Sequence, residues 1–243
     1  MTRAVAAANP SLPASALYRL AQEFPIGDVP AVVADDTEST DLASAVALRS
    51  IAWEPPPDGL QGVIPLPGGF NAGFRGRTVY FSVPYYPHAW PSDFQLAVED
   101  DIVALGHFGN TLVIATKGKL AIAVGTQPEA MSLVTDGKIV PCLSADSLVS
   151  TTGTVLYASE EGLVSVSSAG VQVITQAFLT RDEWTRLNPE RIKAAIYENR
   201  YLGFYSSSMG FCFQFDDPST AWTDVQHPGV TAVVTDGTTS RTL

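Results

Sequence analysis

The sequence predicts a mainly β fold: a β-propeller-like repeat of four-stranded units, with one short helix and an irregular N-terminal region. Three observations carry this. From Leu60 onward, short runs of branched and aromatic residues alternate with turn signals containing Gly, Ser or Asn. Four of these runs, 77–82, 110–116, 153–159 and 200–206, resemble one another; aligned on Thr78, Thr111, Thr154 and Tyr201 they recur at a mean step of about 41 residues. Further strands follow each run across tight turns, and successive hairpins at such a period are the sequence signature of propeller blades.

Taken in order, residues 1–58 stand apart. They hold the acidic cluster Asp35-Asp36-Thr37-Glu38, show no sustained alternation, and offer one helix, capped by Ser39 or Thr40, with Leu42, Ala45, Val46 and Arg49 at helical spacing. Trp53-Glu54-Pro55-Pro56-Pro57-Asp58-Gly59 then removes backbone donors and forces extended geometry, which sets a boundary before a second region, 59–243. Within it, Lys117-Gly118-Lys119 joins 110–116 to 120–124, and Glu160-Glu161-Gly162 joins 153–159 to 163–166. Ser168-Ala169-Gly170 turns into 171–174. Thr180-Arg181-Asp182-Glu183 has capping-box spacing and starts a helix that Asn188-Pro189 stops. Residues 194–197, 201–205 and 211–215 form the next meander. The last unit, 230–243, is a single hairpin about Asp236-Gly237, so it is incomplete, and its bare strand edges call for the N-terminal region or a neighbouring subunit to cover them.

Composition narrows the function classes. Of 243 residues 46% are hydrophobic and 16% charged, which is not the make-up of a disordered chain. With 25 Asp+Glu against 14 Lys+Arg the net charge is −11, which argues against a protein that grips nucleic acid by neutralising phosphates. No apolar run has the length to span a bilayer. Residues 1–10 lack the pattern of a secretory signal, so a soluble chain made in the cytoplasm is expected. Cys142 and Cys212 are far apart, which excludes zinc-ribbon and dithiol motifs; both are expected as reduced, buried thiols. His88, His107 and His227 form no ligand pair, and no cofactor or metal is expected.

Motif by motif, little points to chemistry. Gly68-Gly69-Phe70-Asn71-Ala72-Gly73 lacks the Lys-Ser/Thr of a phosphate loop and reads as a turn between strands. Glu99-Asp100-Asp101 lacks the frame of a calcium loop and reads as a solvated lead into a strand. No Gly-x-Ser-x-Gly elbow occurs. A propeller glycan hydrolase would use two carboxylates, and nothing in the sequence singles out a pair. The most unusual stretch is 80–91, where Tyr80, Phe81, Tyr85, Tyr86, His88 and Trp90 are interleaved with Pro84, Pro87 and Pro91. Such a loop is stiff and carries a large contact surface, suiting a ligand platform, a subunit contact or a cover folded over the core.

At this loop the sequence resembles the tail nozzle family of short-tailed bacteriophages, also called tail tubular protein B or the phage stabilisation protein. The likeness is carried by 79–91 together with 53–60, 101–106, 142–149, 155–164, 179–184 and Asn188-Pro189, and covers about two thirds of the chain. It implies a non-enzymatic virion structural protein with a β-propeller core, assembled as a six-fold ring below the portal and adaptor rings. It further implies a virion-tail location, contact with tail fibre or spike proteins, double-stranded DNA only as passing cargo, and no membrane partner. In that setting Tyr85, Tyr86, His88 and Trp90 are expected at a subunit contact. Net acidity suits a conduit, because acidic side chains facing a lumen repel phosphates. A glycan hydrolase and a monomeric binding module are the competing expectations.

Overall fold

The computed structural model describes residues 2–4, 18–20, 53–134, 138–198, 200–214, 222–233, 235–236 and 241–242. The chain divides within the Pro-rich segment, into Met1–Pro55 and Pro56–Leu243. In the shorter unit β1 (Thr2–Ala4) pairs antiparallel with β2 (Tyr18–Leu20). The helix expected over 40–49 lies outside the described residues.

The larger unit is four consecutive antiparallel meanders of four strands each. The first sheet is β3 (Gln61–Leu66), β4 (Phe70–Arg75), β5 (Thr78–Phe81) and β6 (Gln95–Ala97). The second is β7 (Ile102–Phe108), β8 (Thr111–Thr116), β9 (Ala121–Val124) and β10 (Ser132–Val134). The third is β11 (Val149–Ser150), β12 (Thr154–Ser159), β13 (Gly162–Ser167) and β14 (Gly170–Val173). The fourth is β15 (Lys193–Tyr197), β16 (Arg200–Phe204), β17 (Met209–Gln214) and β18 (Trp222–Gln226). A final hairpin pairs β19 (Thr235–Asp236) with β20 (Arg241–Thr242).

The sheets are neighbours in chain order. β3 and β4 lie against β7, β7 against β11 and β12, β11 against β15, and β15 against the final hairpin. Each gap between successive four-stranded sheets holds its own core, because strand side chains alternate between faces. On β8, Leu112 and Ile114 enter the first core, with Phe70, Phe74, Val79 and Phe81, while Val113 and Ala115 enter the second. On β12, Val155 and Tyr157 join the second core, and Leu156 and Ala158 the third, with Trp184, Tyr201 and Phe211. This is the β-propeller-like architecture the sequence predicts.

One alignment needs correcting. Thr78 opens the third strand of its sheet, whereas Thr111 and Thr154 open second strands and Tyr201 lies in one. The true counterpart is β4, and second strands then begin at Phe70, Thr111, Thr154 and Arg200, a more even spacing of roughly 41 to 46 residues.

Among the described residues there is one α-helix, α1 (Arg181–Arg186), in the connection between the third and fourth sheets. Its capping box is complete: Thr180 Oγ1 accepts from Glu183 N at 3.3 Å, and Glu183 Oε2 accepts from Thr180 N at 2.8 Å. Buried Trp184 then donates from its indole to Ser159 O at 2.8 Å, fixing the helix on the third sheet. Both cysteines are free, as expected, but only Cys142 is fully buried; Cys212 sits on the half-covered far face of the fourth sheet.

Candidate functional site

The connection between β5 and β6 forms a rigid aromatic shelf. It starts where Ser82 N donates to Asn71 O at 2.9 Å and Asn71 N donates to Ser82 Oγ at 2.9 Å. The loop then closes on itself: Val83 N donates to Ala89 O at 2.8 Å, Tyr86 N to Val83 O at 3.0 Å, and Ala89 N to Tyr86 O at 3.0 Å. Trp90 donates its indole N–H to Pro87 O at 2.8 Å. These bonds satisfy several of the loop's own backbone groups, and those from Ser82 and Asn71 fix it to β4.

Tyr85 is the unusual residue. Its φ is 64°, a left-handed conformation that costs a non-glycine residue roughly 1 kcal/mol or more. The conformation is held by Tyr85 N donating to Gly69 O at 2.7 Å in the β3–β4 turn. Gly69, at φ +79°, is required there on a second count, since a Cβ on it would lie 2.6 Å from the Tyr85 ring. Tyr85 remains 80% exposed and Tyr86 45% exposed. His88 is exposed too and meets Tyr86 edge to face, with centroids 6.1 Å apart.

Of the four expected contact residues, Tyr85, Tyr86 and His88 therefore share one exposed shelf. Trp90 does not. It is only 4% exposed and, with fully buried Ala89, anchors the loop from below. The exposed aromatic surface of the loop thus belongs to Tyr85, Tyr86 and His88, with Trp90 beneath it and its indole N–H on Pro87 O.

At the opposite ends of the strands, charged groups knit turns to inter-sheet connections. Arg77 Nε donates to Asp101 Oδ1 at 3.1 Å and holds that carboxyl below its ordinary range. Lys119 Nζ donates to Glu99 Oε2 at 2.7 Å, which raises the ammonium's pKa, and Arg181 Nη2 lies 3.1 Å from Glu161 Oε1. The acidic run 99–101 thus leads into β7 and ties two sheets together.

Beside the fourth sheet this same end carries a cleft of about 490 Å³ that includes Asp146, Glu190, Arg191, Lys193 and Tyr205. Lys193 Nζ donates to Thr231 O at 3.0 Å and lies 3.9 Å from Asp146 Oδ2. Asp146, Glu190 and Arg191 come from the connections ahead of β11 and β15, Lys193 opens β15 and Tyr205 follows β16, so the cleft joins segments distant in sequence that share no local motif. Among the described residues, no group of three or more His, Cys, Asp or Glu is placed to hold a metal ion.

The buried titratable groups serve structure. Burial pushes the Cys142 thiol up to about 12, and also raises the Tyr157 and Tyr201 hydroxyls, which donate to Val140 O and Ser147 O, each at 3.0 Å.

Four meander sheets, each stacked on the next over its own core, place the larger unit in the β-propeller class. Neither a protein-family model nor a curated protein sequence matches the chain. Among solved structures it is similar to the N-terminal domain of Nup159, at 8% identity and TM-score 0.44, over 70% of this chain and 45% of that one. It is also similar to the AfRom2 CNH domain, at 14% identity and TM-score 0.45, over 80% of this chain and 66% of that one. The β-propeller domain of Cps50 (Swd1) from Myceliophteria thermophila is comparable, at 14% identity and TM-score 0.44, over 72% and 58%. The chain spans less than two thirds of each of these three structures.

Proposed function

We propose that this chain works by assembly, as a subunit of the tail nozzle of a short-tailed bacteriophage, in a six-fold ring that extends the DNA ejection channel and helps retain the genome. The observation that carries the reading is the shelf. The residues where the sequence most resembles the nozzle family form a loop that is internally bonded and carries exposed aromatic rings, which suits a contact surface. The adjoining partners in this reading are other copies of the chain, the portal–adaptor ring and tail fibre or spike proteins. Duplex DNA is cargo that passes without being held. Negative-stain images of particles containing the chain test it: rings on a tail axis are expected, and isolated monomers with no particle association overturn it.

A glycan hydrolase is the second reading, favoured by one feature, the cleft that brings Asp146 and Glu190 together. Under it, glycan-hydrolysing activity falls by at least about a hundredfold in Glu190→Gln. No turnover on a broad glycan panel removes this reading.

A further inference from the structure

The first sheet has a second exposed feature, at the end opposite the shelf. Ahead of β3, Pro55 and Pro56 are exposed and Pro57 half-buried, in a stretch with neither helix nor strand. Successive prolines have fixed φ and no N–H to donate, so they favour the polyproline II form and present a ridge of pyrrolidine faces with little entropy to lose. The end of this ridge is pinned: Leu60 N donates to Pro57 O at 3.1 Å, and Arg75 Nη1 donates to Asp58 O at 3.3 Å. The β3 strand, Gln61–Leu66, then runs roughly 20 Å before the turn against which Tyr85 rests. Pro57 and the shelf thus lie at opposite ends of one sheet, and Pro57 does not reach the shelf of its own chain.

We propose that the Tyr85–Tyr86–His88 shelf receives the Pro55-Pro56-Pro57 ridge of a second copy. The two surfaces are chemically matched. Polyproline segments dock on aromatic side chains, and the loop's own hydrogen bonds and the prolines' fixed φ limit what docking must order. A contact between different surfaces of identical chains is heterologous: repeated, it closes into a ring or runs on as a filament. The inference deepens the assembly reading by naming the two faces that meet.

Full-length chain and two variants, Tyr85→Ala/Tyr86→Ala and Pro55→Ala/Pro56→Ala, are compared by analytical ultracentrifugation across concentration, with circular dichroism to confirm that each is folded. The wild-type chain self-associates, and each variant alone raises the half-association concentration by about thirtyfold or more, as losing a hot spot does. Mixed one to one, the variants recover a dimer, because the first keeps its ridge and the second its shelf. An excess of a peptide of residues 53–59 dissociates the wild-type assembly. A monomeric wild type, a variant that assembles normally, or a mixture that stays monomeric overturns the pairing. So does a shelf that takes up a pyranose sugar while ignoring the peptide. Particle association with assembly unaffected by either variant overturns the pairing alone; assembly through it without particle association overturns only the virion reading.

Discussion

Trp90 and Tyr85 lie five positions apart in one loop and do opposite things. Trp90 fills the space beneath the loop and Tyr85 lies above it, so the two substitutions separate stability from contact. Trp90→Ala removes a buried indole and its bond to Pro87 O, and costs about 3–5 kcal/mol in guanidinium unfolding. Tyr85→Ala, at an exposed site, shifts stability by less than about 1 kcal/mol. The sequence displays the aromatic richness of this loop, but which ring turns inward depends on a side-chain bond that no periodicity reveals. Cys142 supports a second prediction. Its folded pKa is raised, so between the ordinary value of 9.0 and about 12 the folded chain keeps a proton that the unfolded chain loses. Stability then falls as pH rises, by up to about 1.4 kcal/mol per pH unit from this group. Tyr157 and Tyr201, raised by burial as well, steepen the decline above their ordinary 10.0. Unfolding free energies between pH 9 and 10 should therefore show a shallower slope in Cys142→Ala than in the wild type; equal slopes would refute this.

At the scale of elements, two devices hold connections between sheets. One is a tyrosine on a second strand whose hydroxyl bonds a connecting segment: Tyr157 on β12 reaches Val140 O, and Tyr201 on β16 reaches Ser147 O. Ser147 in turn accepts from Ala158 N at 2.9 Å through its Oγ. Tyr201→Phe keeps the ring and orphans the Ser147 carbonyl, a loss of about 1–2 kcal/mol by equilibrium denaturation. The other device is the capping box of α1. Thr180→Ala costs about 1 kcal/mol. Glu183 accepts the Thr180 N–H, so its folded pKa lies below the ordinary 4.5; its contribution is present above that value and is lost as pH falls through the folded one. Glu183→Gln therefore flattens part of the acid limb of a stability-versus-pH curve. This helix was fully legible, because its cap, its buried Trp184 and its Asn188-Pro189 stop are local signals. The first sheet was legible only in part. Its second strand, β4, contains Asn71 and Gly73 behind the Gly68-Gly69 turn, and so reads as a loop. The strand accepts Gly73 because Leu60 packs on it, leaving a Cβ only 3.0 Å from the Leu60 side chain, and close approach of this kind comes from tertiary packing.

Across the described sheets, the core clusters lie between successive sheets, so the repeat was readable as a period; the aromatic loop was readable too, though not which of its rings turn outward, while the cleft, made of segments far apart in sequence, was not. Charge is the property of the entire chain that bears most directly on the proposed conduit. The excess of 25 Asp+Glu over 14 Lys+Arg leaves −11, and several cations are already committed: Arg77 to Asp101, Lys119 to Glu99, Arg181 to Glu161. Binding to duplex DNA is driven by cations that displace condensed counterions, so a chain with several of its cations paired and acids in excess gains little from phosphates. Repulsion between like charges also strengthens as salt is lowered, since screening lengthens from about 8 Å near 0.15 M to about 30 Å at 0.01 M. The chain should thus leave duplex DNA unretarded in a mobility assay at micromolar concentration, and lowering the salt should not bring binding out. A basic DNA-binding protein behaves the opposite way. Micromolar or tighter binding that strengthens at low salt would mean that a cationic face survives on this surface, and a channel lined by it would hold its cargo instead of letting it pass.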